Sequence, residues 1–286
     1  AAKLLDRISN AERVHSFSGP VLLDPIPAGL LIHEAMGHRL EGNRLRSGGE
    51  ARTFADSLGK KVLPDFLSLS DDPRESHLSL NDDSSQSLIG HYRYDDEGSP
   101  SDNASLIESG KLSGYLTGRV PVNKRHRSNG HARSNHHERA ISRMGVTRLH
   151  AHEKSDPLKL KQQLIDEIKR QGVPYGIRIL NASSGETSTD AYDFQAFLGE
   201  INLAAKVFPD GREELIRGVN FVGTPLNAIN GIIAAGDDSV ADHAWCGAES
   251  GMIPVSTICP SLLIQNLELQ SKADTPYTQY FYPMPS

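Results

Sequence analysis

Apolar and polar positions recur with two different periods along this chain, and the change of period divides it. Near the start, Leu4, Leu5, Ile8 and Ala11 lie at helical spacing, which predicts a surface helix over Lys3–Val14. Between Asp24 and Leu40, a possible N-cap (Asp24) and two prolines (Pro25, Pro27) precede Ala28, Leu30, Leu31 and Ile32. This predicts a short helix that buries one side. Residues 43–90 are rich in Ser, Asp and Gly. The clusters Asp71-Asp72-Pro73 and Asn81-Asp82-Asp83 predict solvated turns between short extended pieces such as Phe66–Leu69. A second helix is expected over Leu158–Gln171, where Leu160, Leu164, Ile165 and Ile168 form one stripe. Ser155 is its expected cap, Pro157 opens it and Gly172 closes it.

Beyond that helix the period falls to two. Tyr175, Ile177 and Ile179, then Tyr192, Phe194, Ala196 and Leu198, then Ile201, Leu203, Ala205 and Val207 alternate with other residues. Pro209-Asp210-Gly211 ahead of Glu214–Val219 is a hairpin signal, so an antiparallel sheet is expected across 173–222. A strand end and a short helix containing Leu226, Ile229 and Ile232 should follow. Together these features predict a single α+β domain over 1–286, largely antiparallel sheet with a few packed helices.

One of those helices carries the most specific chemistry. Leu30–Gly42 sets His33 and His38 around Glu34, the make-up of a hydrolytic metal site. Each histidine can offer a neutral nitrogen to a borderline cation such as Zn²⁺, and Glu34 can take a proton from water activated there. The histidines are five apart rather than the usual four, so on an ideal α-helix they would diverge by roughly 140°. Convergence requires the helix to loosen or end near Gly37. A third protein ligand is also needed. Cys246, in the turn-permitting run Trp245-Cys246-Gly247, is one candidate, and Glu41 and His243 compete with it.

Composition narrows the setting. Two cysteines in 286 residues argue against a disulfide framework and suit a reducing compartment. No apolar run approaches a membrane span and the first ten residues hold no cleavable hydrophobic stretch, so a cytoplasmic address is expected. A formal net charge of -6 gives no footprint for direct nucleic-acid binding.

These residues, taken together, resemble the C-terminal half of the TldD/PmbA metalloproteases, also described as modulators of DNA gyrase, whose hallmark is H-E-x-x-x-H followed much later by a ligating cysteine. The likeness extends through Asp95–Pro100, Leu106–Tyr115, Phe208–Gly211 with Arg217–Val219, Cys246–Val255 and Pro260–Leu262, covering about Ser18 to Gln270. The resemblance implies that His33, His38 and Cys246 bind one zinc, that Glu34 is the catalytic base and acid in turn, and that Glu41 and His243 are displaced as ligands. It also implies a peptide or unfolded-protein substrate, and a homodimer or a heterodimer with a family paralogue. Members usually carry an N-terminal domain of comparable size, which is expected to be absent from this chain, as in a fragment, a processed product or a short member. The resemblance gives no role to Cys259 or to the tail 271–286.

Basic side chains, from Lys124 to Arg148, crowd the polar stretch 124–152. Such a run commonly forms a solvated loop. By resemblance it corresponds to a substrate-lining segment, making Arg133, His137 and Arg143 candidate contacts to a peptide or to a developing oxyanion. The competing reading is a non-catalytic peptide-binding or partner subunit whose metal, closed by four protein ligands, is structural.

Overall fold

The computed structural model describes residues 7–46, 54–80, 84–122, 127–187, 197–221 and 225–271. In chain order its principal strands are β1 (Ser16–Leu23), β2 (Leu67–Asp71), β3 (Ala104–Glu108), β4 (Val146–Ala151), β5 (Gly176–Thr187), β6 (Phe197–Val207), β7 (Glu213–Arg217), β8 (Ile232–Ala235), β9 (Val240–Ala248), β10 (Gly251–Cys259) and β11 (Leu262–Ser271). The helices are α1 (Pro25–Ile32), α2 (Pro157–Gln171) and α3 (Pro225–Asn230). The chain is sheet-rich α+β, as the two periods predict.

Two sheets organise it. The eight-stranded sheet runs Glu12–Arg13, β7, β6, β5, β1, β11, Val219–Phe221, with β8 also on β11. The six-stranded sheet runs β9, β10, β4, β2, β3, Lys111–Leu112. Pairing is mainly antiparallel, but β5 lies parallel to β1 with Ile177 opposite Val21, and β10 parallel to β4 with Ser256 opposite Val146. Glu12–Arg13 is likewise parallel to β7, and all three parallel pairs join strands far apart in sequence, which no local pattern encodes. The predicted hairpin at Pro209-Asp210-Gly211 joins β6 to β7, and Gly211 supplies the left-handed backbone it needs, with φ 84°.

Helix α1 touches both sheets, meeting β5 of one and β9 and β10 of the other. Pro27, Ala28, Gly29, Leu31 and Ile32 are all buried. The helix is therefore apolar nearly all round and not the one-sided element its spacing suggests. Burying Leu31 and Ile32 contributes about 2 kcal/mol each. Asp24 stands at the N-cap position but makes no capping bond; its carboxylate takes the Arg178 guanidinium at 2.8 and 3.0 Å. A cap has little to satisfy there, because Pro25 and Pro27 lack an N–H. Helix α2 lays Leu160, Leu164 and Ile168 against Leu22, Val207 and Leu263 of the eight-stranded sheet. Its cap is Asp156, not Ser155: the Asp156 carboxylate accepts from the N–H groups of Leu158 and Lys159.

Other local expectations are revised. Residues 7–9 are helical, but Glu12 and Arg13 pair with Ile216 and Arg217, and this delivers Val14 to the core. Asp71 is no solvated turn residue. It is fully buried and accepts from the N–H groups of Gly145 and Val146, the Thr147 hydroxyl and His131. Ile232 opens β8 and does not extend α3. Lys3–Asp6, Asn81–Asp83, Lys124–His126, Tyr192–Ala196 and the tail from Lys272 lie outside the described residues.

Candidate metal centre

After Ile32 the chain leaves α-helical geometry for a π-helical turn over His33–Gly37, followed by a 3-10 turn over His38–Leu40. The His38 N–H reaches back five residues to the His33 carbonyl. A turn closed over five residues brings the two imidazoles onto one face, which removes the divergence of the ideal helix. Widening leaves carbonyls without their usual partners. The buried Arg39 guanidinium takes them, donating to Ala35 O at 2.9 Å and Glu34 O at 3.3 Å. Gly37 lets the turn close against the core, since a Cβ there would fall 2.0 Å from Met144 Sδ.

The third group arrives from β9, the end strand of the six-stranded sheet. Cys246 Sγ lies 3.2 Å from His33 Nε2 and 3.4 Å from His38 Nε2. All three side chains are buried, and their donor atoms lie within 4.8 Å of one another. The two rings stand edge to face, with centroids 5.0 Å apart. A tetrahedral zinc shell places sulfur and nitrogen about 3.5 Å apart, so these separations fit the ion within a few tenths of an ångström. Among the described residues this is the one cluster of three metal-ligating side chains.

The charges suit a cation. Burial pushes the Cys246 thiol up, but the His33 and His38 imidazoles beside it bring it down to about 5, so the sulfur is a thiolate at neutral pH. Burial opposes protonation of both rings. The Cys246 sulfur nevertheless raises His33, and Glu41 with Cys246 raises His38 well above its ordinary value. A metal would replace the protons that this anionic pocket attracts.

Glu34 is buried beside these groups, with Oε2 4.0 Å from His38 Nε2. It faces a cleft of about 570 Å³ bounded by α1 and the π turn, by Ala182, Ser183 and Gly185 of β5, and by Asp242–Gly247 of β9. The competing ligands sit differently. Glu41 is wholly buried on the far side of His38, 3.0 Å from its Nδ1. His243 lines the cleft, but its Nδ1 meets Ser256 Oγ at 3.0 Å and its Nε2 meets Gln86 Nε2 at 3.1 Å.

The basic residues proposed as substrate contacts are placed elsewhere. Arg133 is buried, donates to the carbonyls of Met144 and Pro254, and stacks over Tyr92. Arg143 is fully buried and donates to the carbonyl of Cys246 at 2.7 Å. His137 is exposed with its ring against His136. None of the three lines the cleft. Sequence reasoning missed that Glu41 and Arg143 back the centre; the Glu three residues past His38 is the one local signal that could have pointed to the first.

Residues 16–271 match the family described as the PmbA/TldA metallopeptidase C-terminal domain. The chain is 26% identical over 263 residues to a metalloprotease of Archaeoglobus fulgidus, covering 91% of this chain and 55% of that protein. It is 29% identical over 257 residues to the metalloprotease TldD homolog of Buchnera aphidicola, covering 87% of this chain and 47% of that one. Among solved structures, TldE from Thermococcus kodakarensis superposes with a TM-score of 0.67 at 17% identity, over 95% of this chain and 54% of that one, a likeness of fold. The chain thus spans about half the length of the curated relatives it matches.

Proposed function

The chain belongs to the PmbA/TldA metallopeptidase C-terminal domain family, and on that footing we propose that it is a zinc-dependent peptidase acting on extended or unfolded peptides. The observation that carries this reading is the convergence of His33, His38 and Cys246 beside the Glu34 carboxylate in an open cleft. His33 and His38 would hold the ion through Nε2, and Cys246 through its thiolate. Zinc bound there supplies Lewis acidity, polarising a peptide carbonyl and acidifying water.

The remaining work falls to side chains and backbone. Glu34 takes the proton of the attacking water and returns it to the leaving amine nitrogen, serving as base and then acid. Strand β9 positions the substrate. It pairs with β10 on one side, and among the described residues no strand pairs its other edge. An extended peptide added along that edge would run past Cys246 with its carbonyls fixed by main-chain hydrogen bonds, a geometry that only an unfolded segment can adopt. The closed, structural alternative finds less support, since Glu41 is turned to His38 Nδ1 and His243 is held by Ser256. Assembly as a homodimer or with a paralogue rests on the family resemblance.

The test is cleavage of an unstructured peptide by the full chain, with and without chelator, beside Glu34→Gln. Chelation should abolish turnover. The variant should keep its metal and lose on the order of a hundredfold or more in rate. Cleavage that ignores chelator, or a variant as fast as the parent, overturns the reading.

A further inference from the structure

Behind the centre, buried charged side chains join the two segments that carry its ligands. Glu41 is 0% exposed, its Oε1 is 3.0 Å from His38 Nδ1, and its Oε2 accepts from Arg44 Nη2 at 3.0 Å. Arg44 in turn pairs with Glu249, so its charge is shared with a second carboxylate. Arg143 is also 0% exposed, with Nε 3.4 Å from Glu41 Oε1. That contact is an ion pair and not a hydrogen bond; the hydrogen bonds of Arg143 come from its terminal nitrogens and cross to the hairpin of β9 and β10. Nη2 donates to the Cys246 carbonyl at 2.7 Å, and Nη1 to Ser250 Oγ at 2.9 Å and the Gly251 carbonyl at 3.1 Å. One guanidinium thus touches both the carboxylate that backs His38 and the main chain of Cys246.

We propose that Glu41 and Arg143 form a positioning pair that fixes His38 and Cys246 relative to each other, a step that rests on the metal-site reading above. Glu41 holds the proton of His38 on Nδ1 and leaves the Nε2 lone pair for the ion. A carboxylate on the distal nitrogen is the usual means of setting tautomer and ring orientation in metal-binding histidines. Arg143 extends that control to the sulfur. The hairpin bearing Cys246 joins the π turn through no covalent link shorter than 200 residues, and an ionic strap between them replaces one. Arg143 was expected to touch substrate; its donors instead serve the ligand scaffold.

The experiment uses the full chain loaded with Co²⁺, whose visible spectrum reports thiolate ligation and coordination geometry. In the parent, a thiolate-to-cobalt band and tetrahedral bands are expected; their absence would sink the metal-site reading itself. With that band present, Glu41→Gln and Arg143→Lys should each lose Co²⁺ to a competing chelator about ten- to a hundredfold more readily, with shifted bands. The double variant should cost less than the product of the two, because the residues act as one unit. Metal retention and spectra equal to the parent in both single variants would overturn the pair while leaving the site intact. Should either variant fail to fold, nitrogen NMR of the Cd²⁺-loaded parent decides the matter. His38 should bind Cd²⁺ through Nε2 and keep a proton on Nδ1, and ligation through Nδ1 would refute the assigned role of Glu41.

Discussion

His38 Nε2 and Cys246 Sγ lie 3.4 Å apart across 208 residues of chain. His33 reaches the same sulfur at 3.2 Å from five residues earlier. The centre therefore requires the π turn after α1 and the end strand β9 to be folded together, and no ligand set exists in the unfolded chain.

Zinc should for that reason stabilise the whole fold. A ligand that binds only the native state adds about 2.7 kcal/mol at a concentration of 100 Kd. Thermal unfolding of the metal-free chain should shift upward on adding Zn²⁺, and Cys246→Ser should abolish most of the shift. An equal shift in the variant would remove the sulfur from the ligand set.

Gly185 on β5 guards the position of Glu34. A Cβ at that residue would lie 2.7 Å from Glu34 Cγ and 2.8 Å from its Oε1. Gly185→Ala should therefore displace the carboxylate and lower kcat by about tenfold to a hundredfold, with metal content unchanged, because a misplacement of about 1 Å carries that cost. Peptide turnover beside metal analysis checks it, and an unchanged kcat would show that Glu34 need not sit where it does.

Gly37 makes a different prediction. Its added methyl would meet the fully buried Met144 at Sδ and Cε, 2.0 and 2.8 Å away. Gly37→Ala should destabilise the chain by about 1–3 kcal/mol through overpacking, read by denaturant unfolding of the metal-free protein. A stability equal to the parent would mean that the π turn tolerates a side chain.

Asp156 offers a remote comparison. Its carboxylate accepts from two N–H groups at 3.0 Å at the start of α2, a helix whose apolar cluster with Leu22, Val207 and Leu263 includes no residue of the centre. Asp156→Ala should cost about 1 kcal/mol of stability and leave zinc affinity alone. A fall in affinity would reveal coupling that the packing does not explain.

What could be read from the residues was mostly local. The stripe of Leu160, Leu164 and Ile168 gave α2, and Pro209-Asp210-Gly211 gave the β6–β7 hairpin, because period and turn chemistry are local properties. The five-residue spacing of His33 and His38 demanded a loosened helix, and a π turn is found there. Long-range choices were not legible. A run of basic residues reads as solvated, yet Arg133 and Arg143 are buried because carbonyls from β10 and from Cys246, a hundred residues later in sequence, accept their hydrogen bonds. Glu41 was a candidate ligand by type and distance along the chain. Which nitrogen of His38 it would meet depended on the ring's orientation in the folded core.

X-ray absorption at the zinc edge of the metal-loaded chain reads the ligand set directly. One sulfur at about 2.3 Å and two nitrogens at about 2.0 Å, with the shell completed by a light atom and one ion per chain, is the expected result. A spectrum without sulfur would contradict the joining of Cys246 to His33 and His38 on which the proposed chemistry depends.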